Sequence, residues 1–576
     1  MKVIHLISGG DSGGAKTHVL SLLQHLNQTI TAQLVCFRDG PFAEEARQMG
    51  IPTMICGGNN VFRTRRKLAA YIREGGYEII HCHGSRANMI GAMLRKVTGL
   101  PVVTTVHSDY RLDYMGRPLS HLTFGTINAL ALRRLDYRIG VSDAMVDLLI
   151  SRGFPADRFY TIYNGIDFTP PPTQGDRLEY LRNLGADVDE NSVVVGIAAR
   201  MNPVKDMATL VRGFAAGHAK CPRLRLLIAG DGPEKDKLTA LAAELGVERQ
   251  VCFAGWISGG MDRFYSALDI NALTSLSETF PYALTEGARF HLATVSTAVG
   301  GIPYLIDQDV NGYLFQPGDW QALGNDLAAL GNDDELRRRL GEKLYEKAST
   351  QFSIQKTVST QLQIYASILR RHRRRSSARD GVVICGAYGR GNAGDDAILE
   401  AILQEMRSID PDMPITVLSK DPRSTRLTYR VRAVHRSNFL AWHAAMWNSR
   451  LYINGGGSLI PPLPVVLSGQ YPGGKAGRQP GTDVRLRHRP RHPGEPPESG
   501  REDHQQICGC HHPAGAGLFG RTAGHGGDGA GGPVDCGPGA DPAEGPGRRD
   551  RQRAAARRYP APRQLPLLCP AAVEGV

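Results

Sequence analysis

Short apolar runs alternate with stretches whose apolar residues recur every three or four places, and this continues as far as residue 460. KVIHLI (2–7) leads through a glycine-rich loop into an amphipathic stretch, Ala15 to Leu26. TAQLVCF (31–37), a helical stretch over Pro41–Met49, EIIHCHG (78–84), another over Arg86–Lys96, PVVTTVH (101–107) and YRIGVS (137–142) follow in turn. Apolar runs of this length separated by helices predict parallel strands covered on both faces. Thr169-Pro170-Pro171-Pro172-Thr173 is a stiff break, after which the pattern restarts. SVVVGIAAR (192–200), RLRLLIAGDG (223–232), QVCFAGW (250–256), INALTS (270–275) and ATVST (293–297) are the next strands, and a helix over Ile354–Leu369 closes the unit. The expectation is an α/β protein with two Rossmann-like domains, 1–170 and 171–372, facing a cleft.

A third unit is predicted over 381–460, with the strands VVICGAY, ITVLS, VRAVH and RLYINGG and a helix over Asp395–Met406. At Pro461 periodicity stops, and from there to Val576 the chain is dominated by Gly, Pro, Arg and Ala. Such a composition buries too little apolar area to offset chain entropy. The segment 461–576 is expected to be disordered, and it reads like a gene translated out of frame, with a native Pro/Arg-rich tail as the alternative. The Cys508-x-Cys510-His511-His512 cluster within it is expected to be accidental, not a metal site.

Composition sets limits. Charged residues make up 22% and hydrophobic ones 41% of 576 residues, as in ordinary soluble domains. The ten cysteines are scattered, which suits a reducing compartment. No apolar run reaches the roughly 18 residues that span a bilayer, and the expected location is cytoplasmic. The net charge of +12 is concentrated in RRHRRRSSAR (370–379) and beyond residue 477, so no nucleic-acid partner is expected. Residues 373–380 read as a solvated basic linker, with peripheral contact with anionic membrane as the alternative.

Ligands of open parallel sheets sit at the carboxyl ends of the strands, and candidate chemistry collects there. In SLSETFPYALTEGARF, Glu278 lies in a strand-end loop and Pro281 is expected to open a helix. The N–H groups of Thr279 and Phe280 then carry the positive end of a helix dipole, suited to a phosphate. Glu286 is expected about two turns in, where a carboxylate accepts two ribose hydroxyls. Arg200 and Lys205 follow the first strand of the second domain as two cations able to neutralise a diphosphate. Gly230-Asp231-Gly232-Pro233 and Val299-Gly300-Gly301-Ile302-Pro303 are tight loops at neighbouring strand ends. Asp187-x-Asp189 has the spacing of a metal-binding pair but lies in the inter-domain connection, and no metal or other cofactor is expected.

These motifs, in this order over about residues 1–370, resemble the retaining GT-B glycosyltransferases of the group 1 and family 4 type. The resemblance implies transfer from a nucleotide-sugar donor without a metal ion, with Arg200 and Lys205 on the diphosphate. It implies that Glu278 touches donor-sugar hydroxyls, that Glu286 holds the ribose and that His107 lines the sugar pocket. Gly13 and Gly14 would abut the phosphates or the acceptor. Two departures stand out: Tyr304 replaces an expected acid after Gly301, and Arg289-Phe-His-Leu-Ala-Thr294 replaces a small-Gly-x-Pro run.

GAYGRGNAGDDAILEAIL, SKDP, YRVRAVHR and LYINGGGSLI resemble the opening of a polysaccharide pyruvyltransferase. That association implies a glycan or lipid-linked acceptor for a cell-surface polysaccharide. The alternatives are a bifunctional glycosyl- and pyruvyltransferase, or a catalytically impaired nucleotide-sugar-binding protein. A dinucleotide-dependent enzyme is disfavoured, because SGGDSGG after the first strand has the wrong glycine spacing.

Overall fold

The computed structural model of this 576-residue chain describes residues 1–455 apart from 11–12, 59, 112–125, 171–174, 258 and 375–378. The expectations for 461–576, including the Cys508–His512 cluster, fall outside the described residues.

Three parallel sheets follow one another. The first contains Lys2–Ile7 (β1), Thr31–Cys36 (β2), Thr53–Ile55 (β3), Ile79–His83 (β4), Val102–Val106 (β5), Tyr137–Gly140 (β6) and Phe159–Thr161 (β7). Its order is β3-β2-β1-β4-β5-β6-β7. The second contains Val193–Ala198 (β8), Leu224–Ala229 (β9), Val251–Gly255 (β10), Ile270–Leu273 (β11), Ala293–Thr297 (β12) and Tyr313–Phe315 (β13), in the order β10-β9-β8-β11-β12-β13. In both, the strand order reverses beside the first strand of the sheet, which opens a crevice at the carboxyl ends. The edge strands β3, β7 and β13 were not expected from the sequence. At three residues each they are too short to show a period, and none of the three is wholly buried.

Packing explains why these runs became strands. Val3, Ile7, Leu20, Leu23 and Val103 form one face of the first core, and Ile364 and Ile368 pack into the same cluster. The latter two belong to the helix Ile354–Arg374, which returns from the second domain to the first. The second core gathers Val195, Ile197, Phe214, Leu226, Leu284 and Leu327. The two crossings between domains are stitched together. Ile354 N–H donates to Ile166 O (2.8 Å), Ile166 N–H donates to Phe352 O (3.2 Å), and the Thr357 hydroxyl donates to Tyr163 O (3.0 Å).

The arginine run is not the solvated linker expected at its start. Helix Ile354–Arg374 takes in its first five residues. Arg370 and Arg371 pair with Asp412, and Arg374 pairs with Asp410. Asp412 is buried and also accepts from the Ser367 hydroxyl, and a buried carboxylate needs such partners. Asp410 and Asp412 follow the helix Ala393–Ile409 of the third unit, so the run docks that unit onto the return helix. Arg430 adds a second clamp, to Asp147 (2.9 Å) and Asp143 (3.4 Å) of the first domain. The third sheet contains Val382–Cys385 (β14), Ile415–Ser419 (β15), Arg432–His435 (β16) and Leu451–Asn454 (β17), in the order β16-β15-β14-β17. No helix among the described residues is long and apolar enough to cross a membrane.

Candidate active site

The chain leaving β11 carries Glu278, and two contacts fix its path. Leu276 N–H donates to Val204 O (2.8 Å), and the Thr274 hydroxyl donates to Lys205 O (2.9 Å). Both acceptors belong to the single 3₁₀ turn Pro203–Lys205, which Asn202 caps by accepting from Lys205 N–H. Loop and turn therefore reach the cleft as one piece. In it the Lys205 ammonium is ion-paired with Glu278 Oε1, to which the Ser275 hydroxyl also donates (2.6 Å). Lys205 is 24% and Glu278 12% exposed, so the pair is only partly screened by solvent.

Beyond Glu278 the loop touches the first domain. The Thr279 hydroxyl donates to the backbone oxygen of His107 (3.0 Å), and the Asn164 amide donates to Phe280 O (2.9 Å). Phe280 is buried, with its ring against Tyr163 and Phe352. Helix Tyr282–Arg289 begins one residue later than expected: Pro281 is its extended N-cap. Glu286 is thus the fifth helical residue, just over one turn in and not two. It is half-buried, and the Tyr265 hydroxyl donates to its Oε2 (2.9 Å). Burial raises the Glu286 carboxyl above the usual carboxylate range.

The glycines have structural work of their own. Gly300 has φ 56°, and a methyl there would lie 1.6 Å from Glu278 O, while one on Gly301 would lie 2.2 Å from Thr279 O. The two glycines let this loop press against the backbone that carries Glu278 and Thr279. Gly230 similarly lies against Ala199 O, and Met201 N–H donates to Asp231 O (3.0 Å). Arg200, between them, is exposed and makes no ion pair among the described residues. Gly13 precedes the helix Gly14–Leu26, and a methyl on Gly14 would stand 3.5 Å from the Tyr282 ring. That places the glycine loop of the first domain beside the first turn of the Glu286 helix. The expected site residues thus lie at strand ends and in loops, apart from Gly14 and Glu286, which belong to the helices Gly14–Leu26 and Tyr282–Arg289.

One set of residues was missed. His107 is joined through His83 to a buried polar stripe on β1 and β4. His83 Nδ1 lies 3.2 Å from His107 Nε2, and His83 Nε2 lies 3.0 Å from His5 Nδ1. His5 Nε2 and His81 Nδ1 both meet the Tyr365 hydroxyl, at 3.0 and 2.7 Å, and His81 Nε2 lies 2.8 Å from Thr105 Oγ1. The ring of His18 stands edge-on to His107, with centroids 5.0 Å apart. Burial holds these imidazoles neutral: His5 is pushed down to about 3, His18 to about 4, and His81, His83 and His107 well below the usual value. Among the described residues, His5, His81 and His83 are the group able to offer ligand atoms to a metal, but their nitrogens are engaged with one another, Tyr365 and Thr105. The signal was present: H-x-H within EIIHCHG puts two histidines on one face of a strand, against the histidine of KVIHLI.

Comparisons with known proteins agree with this layout. Residues 12–169 match the family model Glycosyltransferase Family 4, and 185–347 match Glycosyl transferases group 1. Residues 392–488 match Polysaccharide pyruvyl transferase, so that likeness runs past Pro461, where the sequence pattern had placed its end. N-acetyl-alpha-D-glucosaminyl L-malate synthase of Bacillus anthracis is 26% identical over 312 residues, 53% of this chain and 78% of that protein. A D-inositol 3-phosphate glycosyltransferase of Corynebacterium glutamicum is 26% identical over 378 residues, 59% of this chain and 88% of that one. Among solved structures, Anabaena Alr3699/HepE in complex with UDP superposes with a TM-score of 0.56 at 24% identity, covering 64% of this chain and all of that one. A glycosyltransferase from Rickettsia africae gives a TM-score of 0.55 at 18% identity, over 64% of this chain and 98% of that one. The chain belongs to the GT-B glycosyltransferases of the family 4 and group 1 type, and carries a polysaccharide pyruvyl transferase domain behind them.

Proposed function

We propose that the chain moves a sugar from a nucleotide-sugar donor to a glycan or lipid-linked acceptor of a cell-surface polysaccharide, with retention of configuration and without a divalent metal ion. The observation that carries this reading is the joining of Lys205, Glu278 and Ser275 into one charged cluster whose loop is bonded to His107 of the facing domain. As the bond to the diphosphate breaks, negative charge develops on the leaving oxygen and positive charge on the sugar ring. Lys205, ion-paired with Glu278, is a cation fixed beforehand near the leaving group, and the exposed Arg200 adds a second; preorganised charge of this kind lowers the barrier. Thr279 and Phe280 offer N–H groups just before a helix start. Glu278, held by Lys205 and Ser275, accepts from donor-sugar hydroxyls, and Glu286 accepts from the ribose. Gly13, Gly14, Gly230, Gly300 and Gly301 let backbone approach the nucleotide and the acceptor.

The Anabaena protein is described in complex with UDP-glucose, which supports a uridine nucleotide sugar as the first donor to test. The pyruvyl transferase match supports a polysaccharide setting for the acceptor. The test is release of UDP from UDP-glucose and other nucleotide sugars by the full chain, with and without excess EDTA. Turnover should survive EDTA and fall by about 100-fold or more in Lys205→Ala, the scale seen when one preorganised charge partner is removed. Loss of activity in EDTA with rescue by magnesium or manganese refutes the metal-free mechanism.

A further inference from the structure

We propose that a hydrogen-bonded chain from Thr105 through His81, Tyr365, His5 and His83 fixes His107 as a neutral imidazole carrying its proton on Nδ1, so that the cleft is offered a hydrogen-bond donor. The assignment follows from counting protons. Each neutral imidazole has one N–H, and each contact needs one donor and one acceptor. The Thr105 hydroxyl makes its one hydrogen bond, among the described residues, to His81 Nε2. A hydroxyl hydrogen buried without an acceptor costs free energy, so Thr105 donates and His81 must carry its proton on Nδ1. That N–H donates to the Tyr365 oxygen, which leaves the single phenol proton for His5 Nε2. His5 then donates from Nδ1 to His83 Nε2, and His83 from Nδ1 to His107 Nε2. His107 Nε2 is an acceptor, and the remaining proton sits on Nδ1.

The elements that carry the chain explain why it holds. His5 and His81 are register partners on β1 and β4, and His83 pairs with Thr105 of β5. The three sheet histidines and Tyr365 are fully buried. A dry, apolar surround makes each bond expensive to leave unmade and polarises the series in one direction. Tyr365 is the turning point, and it lies on the return helix, some 280 residues beyond His81 in the chain. The helix that packs the two domains together is therefore also what orients the imidazole at the cleft. Tyr365 and Thr105 are positioning residues, acting on substrate only through His107. The function assigned to that N–H, donating to an oxygen of the donor sugar, rests on the transferase reading above.

The test is ¹⁵N NMR of the histidine rings in the full chain, with the His107 signal assigned by His107→Gln. Wild type should show His107 protonated at Nδ1 and unchanged as the pH is lowered from about 8 to about 6.5, where the unfolded chain begins to titrate. Tyr365→Phe keeps the ring but removes the turning hydroxyl, and Thr105→Val removes the first donor while keeping its shape. Either should convert the single tautomer into a mixture and raise the pH at which His107 titrates. A wild-type His107 protonated at Nε2, or a tautomer unmoved in both variants, overturns the proposal. If UDP-glucose is turned over, kcat in Tyr365→Phe should fall about tenfold with KM for donor little changed. Equal activity of wild type and variant would also overturn it. The NMR result stands whether or not a donor is found, so failure of the transferase reading is recognised separately.

Discussion

Acid should unfold the first domain well before it attacks the carboxylates that usually govern acid stability. Five histidines there are held neutral: His5, His81, His83 and His107 by burial first and by neighbouring histidines second, and His18 by burial, against a hydrogen bond with Asn164 that works the other way. In the unfolded chain each regains an ordinary pKa near 6.5. The unfolded state therefore binds more protons at every pH below about 6.5, and stability falls with falling pH. The contribution is fully present above that value and is lost progressively down to the folded values, about 3 for His5 and about 4 for His18. At about pH 5.5, one unit below the unfolded value, each group costs about 1.4 kcal/mol, or about 7 kcal/mol for five. That is comparable with the whole stability of a typical domain. Two groups work the other way. Asp326 is pushed up to about 6 by burial and by Asp309 and Asp319, and the Glu286 carboxyl is raised by burial. Both lie in the second domain, so the first should fail alone. All four tryptophans lie beyond residue 250 and would miss the event. Amide hydrogen exchange in β1 and β4, corrected for its intrinsic pH dependence, reads it directly. The opening free energy should drop by several kcal/mol between about pH 7.5 and 5.5 and less steeply in His83→Gln. A change of under about 1 kcal/mol would refute the picture of buried neutral histidines.

Three further expectations follow from individual contacts. Glu286→Ala should weaken UDP binding by about 2 kcal/mol, the scale of a lost charge-assisted bond, and calorimetry with unchanged affinity would remove Glu286 from the site. His291→Gly should raise the melting temperature of the second domain by a few degrees. His291 holds φ 59°, a conformation costing a side chain about 1 kcal/mol, while its contacts with Tyr345 and Glu342 are partly exposed; a fall in melting temperature would show that those contacts outweigh the strain. A chain of residues 1–374, which keeps the whole return helix, should remain soluble and turn over donor like the full chain. Its freed arginines sit at a helix C-terminus, where positive charge is favourable, and an inactive or insoluble product would make the third unit part of the catalytic fold.

Much of the architecture was legible because buried parallel strands leave an apolar run and each helix a 3.6-residue period. The long central strands and the order of the cleft loops follow from those two signals alone. What could not be read was pairing at a distance. RRHRRRSSAR has the composition of a solvated linker, and only the positions of Asp410 and Asp412, some 40 residues later, turn its first part into a docking face.

The histidine chain shows the same limit from the other side. In KVIHLI and EIIHCHG the histidines occupy positions that apolar residues fill in an ordinary buried strand, so taken singly they look like interruptions. Their meaning depends on β1 and β4 being neighbours in register, which crossover topology decides, and on Tyr365, whose helix is separated from them by an entire domain. Period 2 could have shown that His81 and His83 share a face. No local pattern could have shown that a phenol from the end of the transferase part completes the series. The residues that orient the candidate site are thus spread between positions 5 and 365, and the fold's second crossing, by which the last helix returns to the first sheet, is what brings them together. Truncating the chain before that helix would remove Tyr365 and take away the partner of His5 Nε2 and of His81 Nδ1. The return helix is in this sense part of the cleft chemistry as well as of the packing.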